Sequence, residues 1–504
     1  MRSKHQRLPS SGPEREALRH KGKFWTPHWV ASAMVRYVRP NISGHLFDPA
    51  SGACAFFQAC KKDFGDEVHF VGCDVDLTSL EEAKAAGLTE RDVEGVIQRD
   101  FVLDPPERKF ASIVANPPYI RHHRLSVQTK QQLRLISRKL IGKDLDGRAG
   151  LHVYFLLRAL ELLEEGGRLA FIIPGDTFEG VFAHTLWDWL LRFYTVDAVM
   201  TFSGDATPFP GVDTNAVVVC IRNSGATSQF QWARCTVPES DELAHWVDRG
   251  FHGPFPGEVF VREASEGLRT GLSRPPAEEH AGPRLADFAS VMRGIATGDN
   301  DFFFLTSARI AELGLDPGYF VRAIGRTRDA IGDRLALEDM DALDSAQRPT
   351  YLLSLAEEPL ESLSVSLQNY LREGEKRGMS RRALISTRQP WYRMERRTPP
   401  PLLFAYLGRR NSRFILNRAR VVPLTAFLCI YPKAGVELES FWKALNDPRT
   451  LPNLRAVAKS YGSDALKVEP RALERLPIPA AVASEHMLMV TEEPSLQKTM
   501  AFSS

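Results

Sequence analysis

The sequence predicts an α/β protein: a doubly wound, mostly parallel sheet of seven strands, followed by a second domain of mixed α+β type. Three observations carry this. Seven short apolar runs alternate with helical stretches between Phe24 and Arg222. Several of those runs end directly in acidic or amide residues, as expected where a ligand meets the carboxyl ends of parallel strands. A Pro/Gly-rich stretch then closes the alternation, and no strand–helix–strand rhythm recurs after it.

In chain order the strands are HLFDP (45–49), HFVGCDV (69–75), GVIQRDF (95–101), ASIVANP (111–117), RLAFIIP (168–174), VDAVMTF (196–202) and NAVVVCIR (215–222). Helical stretches such as LTSLEEAKAAG and LHVYFLLRALELLEEGG lie between them. HGPFPGEVF and GLSRPPAEEHAGPR mark the domain boundary near residue 270. The expected organisation is a flexible polar tail over 1–20, a first domain over 21–270, a second over 271–482 and a C-terminal tail over 483–504. Internal repeats and low-complexity tracts are absent.

With 43% hydrophobic and 25% charged residues among 504, the chain has enough apolar side chains for two or three cores without covalent staples. Its six cysteines include no Cys-x-x-Cys pair and no Cys/His grouping at metal spacing, so neither disulfides nor a structural metal are expected. A reducing cytoplasm fits this pattern, and no apolar run approaches the roughly 18 residues of a membrane span. The N-terminus lacks the apolar core of a signal peptide, so the protein is expected to be soluble and not exported. A net charge of +2 hides a basic stretch over 371–420, with thirteen Arg and one Lys against three Glu. Trp391, Tyr392, Phe404, Tyr406 and Phe414 are interleaved with it, and residues 121–148 form a second basic zone. A salt-bridged surface is the plain reading; two such zones, one carrying aromatics, favour a polyanion such as nucleic acid.

The first four strands end in a candidate cofactor pocket. FDPASGACAF follows the first strand and opens a helix, so that Asp48, Ala50 and Gly52 would lie where backbone can approach a ligand. Asp74, at the end of the second strand and 26 residues on, has the position from which an acidic side chain accepts hydrogen bonds from a ribose diol. Asp100 could accept from an adenine amino group while Phe101 covers the ring; upstream, Thr26 and Pro27 form a turn able to close over the ligand's other end. These features favour an adenosine-type cofactor over a phosphate-bearing one. No G-x-x-x-x-G-K-[ST] occurs, and GIATGDN at 294–300 lacks the lysine a phosphate loop needs, so it reads as a surface turn.

The fourth strand runs into Asn116, Pro117, Pro118 and Tyr119. An exocyclic amino nitrogen is a poor nucleophile because its lone pair is conjugated into the base. Acceptance of both its N–H bonds, by the Asn116 side-chain oxygen and the Pro117 carbonyl, would aim that lone pair at an electrophile, and two proline rings would hold the acceptors in place. Tyr119 would stack on the base, and Phe209, in ATPFPGVDTN, is the candidate second stacking aromatic. A base inside a duplex must be flipped out to reach such a site, at a cost of a few kcal/mol. Arg121 and Arg124 follow Tyr119 where they could meet phosphates. In the second domain Arg381, Arg382, Arg388, Trp391, Arg409 and Arg410 are the candidates for DNA contact.

In this order, GKFWTP, DPASGACAF, GCDVD, RDF, NPPY and FPGVDTNAVVV resemble the gamma-class DNA adenine-N6 methyltransferases of Type II restriction-modification systems. RGIATGDNDFFFL, RQPWYRM, NRARVVPLTAFLCIYP and YGSDALKVEPRALERLPIP look like that family's specificity region. The resemblance implies a class I methyltransferase fold, S-adenosylmethionine as donor, and double-stranded DNA bound in a cleft between catalytic and target-recognition domains. Carried over by position, it assigns Thr26, Asp48, Ala50, Asp74, Asp100 and Phe101 to the cofactor, Asn116 to Tyr119 to catalysis and Phe209 to stacking. One departure is Cys54, where the family usually has a second glycine and where a Cβ could crowd the methionine moiety. No nuclease segment is evident, so a monomeric, stand-alone methylase with a separately encoded restriction endonuclease is expected.

Four alternatives are distinguishable. N4-cytosine methylation uses the same kind of amino nitrogen, but the Asn-led motif in this order favours adenine. Methylation of a protein glutamine also uses NPPY but does not require a large Arg/aromatic domain. C5-cytosine methylation needs a nucleophilic cysteine, usually after proline, and no Pro-Cys occurs. An inactive specificity protein that only binds DNA is the reading from another class, with Cys54 as its support.

Overall fold

The computed structural model describes residues 25–39, 44–65, 68–210, 212, 215–276, 282–405, 407–408, 413–461 and 465–488. The chain divides into two compact units, one reaching residue 277 and including 461–464, the other comprising 278–460 and the residues from 465.

The first unit is built on β1 (His45–Asp48), β2 (His69–Asp74), β3 (Val96–Gln98), β4 (Phe110–Ala115), β5 (Leu163–Pro174), β6 (Thr195–Phe202), β7 (Ala216–Arg222), β8 (Gln229–Cys235) and β9 (Gly257–Glu263). Their order across the sheet is β3-β2-β1-β4-β5-β7-β6-β8-β9. Every pairing from β3 to β5 is parallel, and β7 runs antiparallel to both neighbours. The expected seven strands are extended by two: β8 pairs parallel with β6, and β9 antiparallel with β8. The sequence signal for β9 was weak because it is an edge strand with mostly exposed side chains, whereas the central β4, β5 and β7 read as continuous apolar runs.

Such runs require cover on both faces. One face carries Phe47, Phe101, Phe155, Phe171, Trp187 and their neighbours; the other packs helix α1 (His28–Val38) with Phe57, Trp246 and the second half of each strand's side chains. Both layers are therefore buried. A glycine makes the closest strand-to-loop approach possible: a Cβ on Gly72 in β2 would lie 2.1 Å from Ser51 Oγ and 3.0 Å from the Asp48 carbonyl oxygen. The segment after β9 is locked by Arg262, 2% exposed, which donates to Glu266 at 2.8 Å and to the Gly271 carbonyl at 3.0 Å. Arg274 then donates to Glu179 at 3.0 Å, with both side chains largely buried.

The second unit is mixed α+β. Its five-stranded sheet runs in the order Ala289–Arg293, Phe427–Pro432, Leu402–Ala405, Phe414–Asn417, Arg334–Leu335, and a four-stranded sheet comprises Phe304–Leu305, Tyr351–Leu353, Phe320–Ile324 and Val422–Pro423. The larger sheet packs Phe288, Phe404, Phe414 and Phe441 into one core. All six cysteines are free and buried. Among the described residues no helix is long and apolar enough to cross a membrane, and no group of three or more His, Cys, Asp or Glu could hold a metal ion.

Candidate active site

Parallel register brings the ends of β1 to β4 to one edge of the sheet: Asp48 pairs with Gly72, Asp74 with Gln98, and Ala115 with Phe171. Asp48 is completely buried. Its Oδ1 accepts the Ala50 N–H at 3.0 Å, while Oδ2 has no hydrogen-bond partner among the described residues. Burial, against the pull of the Ala50 hydrogen bond, lifts its carboxyl to about 8, so it holds its proton at neutral pH. Asp74 is fixed differently: one oxygen accepts the Gly52 N–H at 2.9 Å and the other the Asp76 N–H at 3.0 Å. The loop after β1 is thus tied to the end of β2.

Gly52 and Cys54 both have left-handed backbone, φ +48° and +56°, and Cys54 caps helix α2 (Ala55–Phe64). A left-handed L-residue costs roughly 1–2 kcal/mol. The Cys54 side chain is fully buried in the core cluster that contains α1 and Phe57, so its Cβ is accommodated there.

Asp100 is exposed, with Oδ1 accepting the Val102 and Leu103 N–H groups at 3.0 Å each. Phe101 departs from its expected role. Its ring is 1% exposed and packed between Phe47 and Phe155, at centroid distances of 5.7 and 5.4 Å, so it forms core instead of an open face beside Asp100. Ile97 and Leu103 near this edge are 47% and 40% exposed, and the most exposed apolar residue of the three is Val75, at 62%, whose carbonyl accepts from Gln98 Nε2 at 3.0 Å. Its signal was available, an apolar residue directly after the strand-end Asp74, and was missed.

Thr26 meets the end of β4 directly: Asn116 Nδ2 donates to Thr26 Oγ1 at 3.1 Å, which turns the amide oxygen the other way. Pro27 starts α1, its carbonyl accepting from Val30 and Ala31 at 3.1 and 3.0 Å. Pro117 is buried, whereas Pro118 and Tyr119 are half-buried. The Tyr119 hydroxyl donates to the Ile172 carbonyl at 3.1 Å, bracing it on β5. Burial raises this phenol well above its ordinary value, with the Asp176 charge adding to the effect, so it stays protonated. Phe209 is 4% exposed and enclosed in the core face that includes α1, so base stacking there requires its cover to move.

The basic stretch also reads differently in three dimensions. Arg382 pairs with Asp299, Arg393 with Glu357 at 2.7 Å, Arg396 with Glu358 at 3.1 Å and Arg418 with Glu439, each acid lying outside residues 371–420. Arg388 is half-buried, donating to the Ala296 carbonyl at 2.6 Å and lying 5.7 Å from the Phe303 ring centroid; Trp391 packs against Phe302 and Phe303. These two are therefore structural instead of open to a polyanion. Arg381 and Arg121 are exposed and make no side-chain hydrogen bond or ion pair among the described residues; Arg124 is exposed. Arg409 and Arg410 lie outside the described residues, as do both predicted tails apart from 483–488.

Comparison with known proteins joins these observations. The Eco57I restriction-modification methylase family model matches residues 75–209, and that for the C-terminal domain of Type II methyltransferase M.Eco57I matches 276–500. The chain is 23% identical over 480 residues to Type II methyltransferase M.AccI of Acinetobacter calcoaceticus, covering 91% of this chain and 86% of that one. It is 25% identical over 475 residues to Type II methyltransferase M.XamI of Xanthomonas campestris pv. amaranthicola, covering 91% and 85%. The solved structure of the Type IIL restriction-modification enzyme MmeI in complex with DNA superposes with a TM-score of 0.54 at 12% identity, covering 92% of this chain and 64% of that longer one, a likeness of fold. With two family models matched in order and relatives aligned along nine-tenths of its length, the chain is similar to Type II methyltransferases of restriction-modification systems.

Proposed function

We propose that the chain methylates the N6 amino group of an adenine extruded from double-stranded DNA at a specific site. Residues 21–270 would act as the catalytic domain and 271–482 as the target-recognition domain, in a cytoplasmic monomer that protects host DNA from a separately encoded endonuclease. The observation that carries the reading is the hydrogen bond that commits the Asn116 amide nitrogen to Thr26, so that the amide's other end is its acceptor.

The cofactor loop fits its ligand on independent grounds. Asp48 Oδ2 is a buried oxygen lacking a partner beside a loop whose Gly52 has no Cβ, and the Asp74 carboxylate is held by two backbone N–H groups while retaining lone pairs for a diol. Asp48, Ala50, Gly52, Asp74 and Asp100 would hold the donor, with Val75 against its ring. When bound, S-adenosylmethionine supplies an electrophilic methyl group on a sulfonium sulfur. The Asn116 oxygen and the Pro117 carbonyl accept the two N–H bonds of the target amino group and orient its lone pair. Tyr119 gives the extruded base a stacking face worth roughly 1–3 kcal/mol, offsetting part of the cost of extrusion.

The test is transfer of labelled methyl to DNA, followed by nucleoside analysis. Wild type should yield N6-methyladenine, and Asn116→Ala should lower the rate at least about a hundredfold. Equal incorporation by both proteins would overturn the role of Asn116; N4-methylcytosine as product would overturn the choice of base.

A further inference from the structure

His152, the second residue of helix α3 (Leu151–Glu161), is 6% exposed, and neither ring nitrogen has a hydrogen-bond partner among the described residues. A buried imidazole ordinarily pairs at least one nitrogen, because leaving polar atoms unpaired is unfavourable. Its surroundings are closely fitted. The ring stands edge-on to Tyr119, centroids 6.1 Å apart at 72°. A Cβ on Gly150 would lie 2.7 Å from His152 Cε1 and 2.9 Å from both His152 Nδ1 and the Ile120 carbonyl oxygen, so only glycine admits this arrangement. That carbonyl accepts the Leu151 N–H at 3.0 Å, joining the segment after Tyr119 to the start of the helix. With its hydroxyl on Ile172, Tyr119 is thus held at its tip by β5 and flanked by a flat ring packed against backbone. Burial outweighs the nearby Asp176 carboxylate and takes His152 down to about 4, leaving it neutral at physiological pH.

We propose that His152 is a positioning residue for the target base: packed against Gly150, its ring fixes the plane of the Tyr119 ring on which the extruded base stacks. The inference rests on the reading of Tyr119 as the stacking aromatic. It gives a reason for a polar ring with unpaired nitrogens at this position: the ring lies against backbone at Gly150, where any Cβ would overlap it.

The experiment uses the full chain and a duplex carrying its methylation site, located by modified-base sequencing, with adenine at the target position for kcat and with 2-aminopurine there for the emission readout. His152→Ala and Gly150→Ala should each lower kcat about ten- to hundredfold, with the Kd values for S-adenosylmethionine and DNA within about threefold of wild type. Each should also shift the 2-aminopurine emission in the direction that Tyr119→Ala shifts it. Wild-type kcat and emission in His152→Ala, with both lost in Tyr119→Ala, would overturn the role of His152 and leave the stacking reading standing. An unchanged Tyr119→Ala would overturn both. Should His152→Ala fail to fold, Gly150→Ala decides: wild-type kcat and emission from that folded variant overturn the proposal.

Discussion

Asp48→Asn tests the least ordinary group in the cofactor loop. The folded chain holds the Asp48 proton up to about pH 8, against 3.8 for an ordinary aspartate. A carboxyl whose folded pKa lies above its unfolded value binds its proton more tightly in the folded state, so stability is full below pH 3.8 and is lost as pH rises toward 8. The loss is about 1.36 kcal/mol per pH unit, which makes about 4 kcal/mol at pH 7. Asparagine keeps an oxygen for the Ala50 N–H and cannot ionise; its NH2 in place of the unpartnered Oδ2 adds a cost that does not vary with pH. Comparing wild type with Asp48→Asn cancels every other titration. The midpoint of thermal unfolding of the apoprotein, followed from pH 4 to 8, should therefore move in favour of the variant by about 10 °C between pH 4 and 7, taking about 2–4 °C per kcal/mol for a unit of this size. Parallel curves for the two proteins across that range would refute the reasoning, because they would mean that Asp48 ionises in the folded chain as readily as in the unfolded one.

Thr26→Val removes the acceptor of the Asn116 amide while preserving shape; single-turnover methyl transfer should slow about tenfold and recover in Thr26→Ser. Arg381→Gln should weaken DNA binding without destabilising the fold and reduce the slope of log K against log salt by about 1, whereas Arg388→Ala should lower the unfolding midpoint; salt-titrated binding and calorimetry separate the two. Gly72→Ala should destabilise by about 1–3 kcal/mol, measured by urea unfolding, since its Cβ would overlap Ser51 Oγ.

The sequence determined seven of the sheet's nine strands and the polar residues that stand at the ends of the first four. β1 to β7 are short apolar runs punctuated by Asp48, Asp74, Asp100 and Asn116, and strands buried on both faces must be apolar throughout, so the pattern is local and legible. Side-chain pairings between distant residues were not legible. That Thr26 meets Asn116, that Phe101 turns into the core while Val75 faces solvent, that Phe209 is enclosed and that His152 stands beside Tyr119 follow from how helices and strands pack. Charge is the clearest case: a count along residues 371–420 registers thirteen arginines, but the carboxylates of Asp299, Glu357, Glu358 and Glu439 that answer several of them come from elsewhere in the chain. Periodicity and motif order are properties of neighbours in sequence, whereas burial, pairing and the free energy of ionisation depend on neighbours in space, and those only the tertiary structure decided.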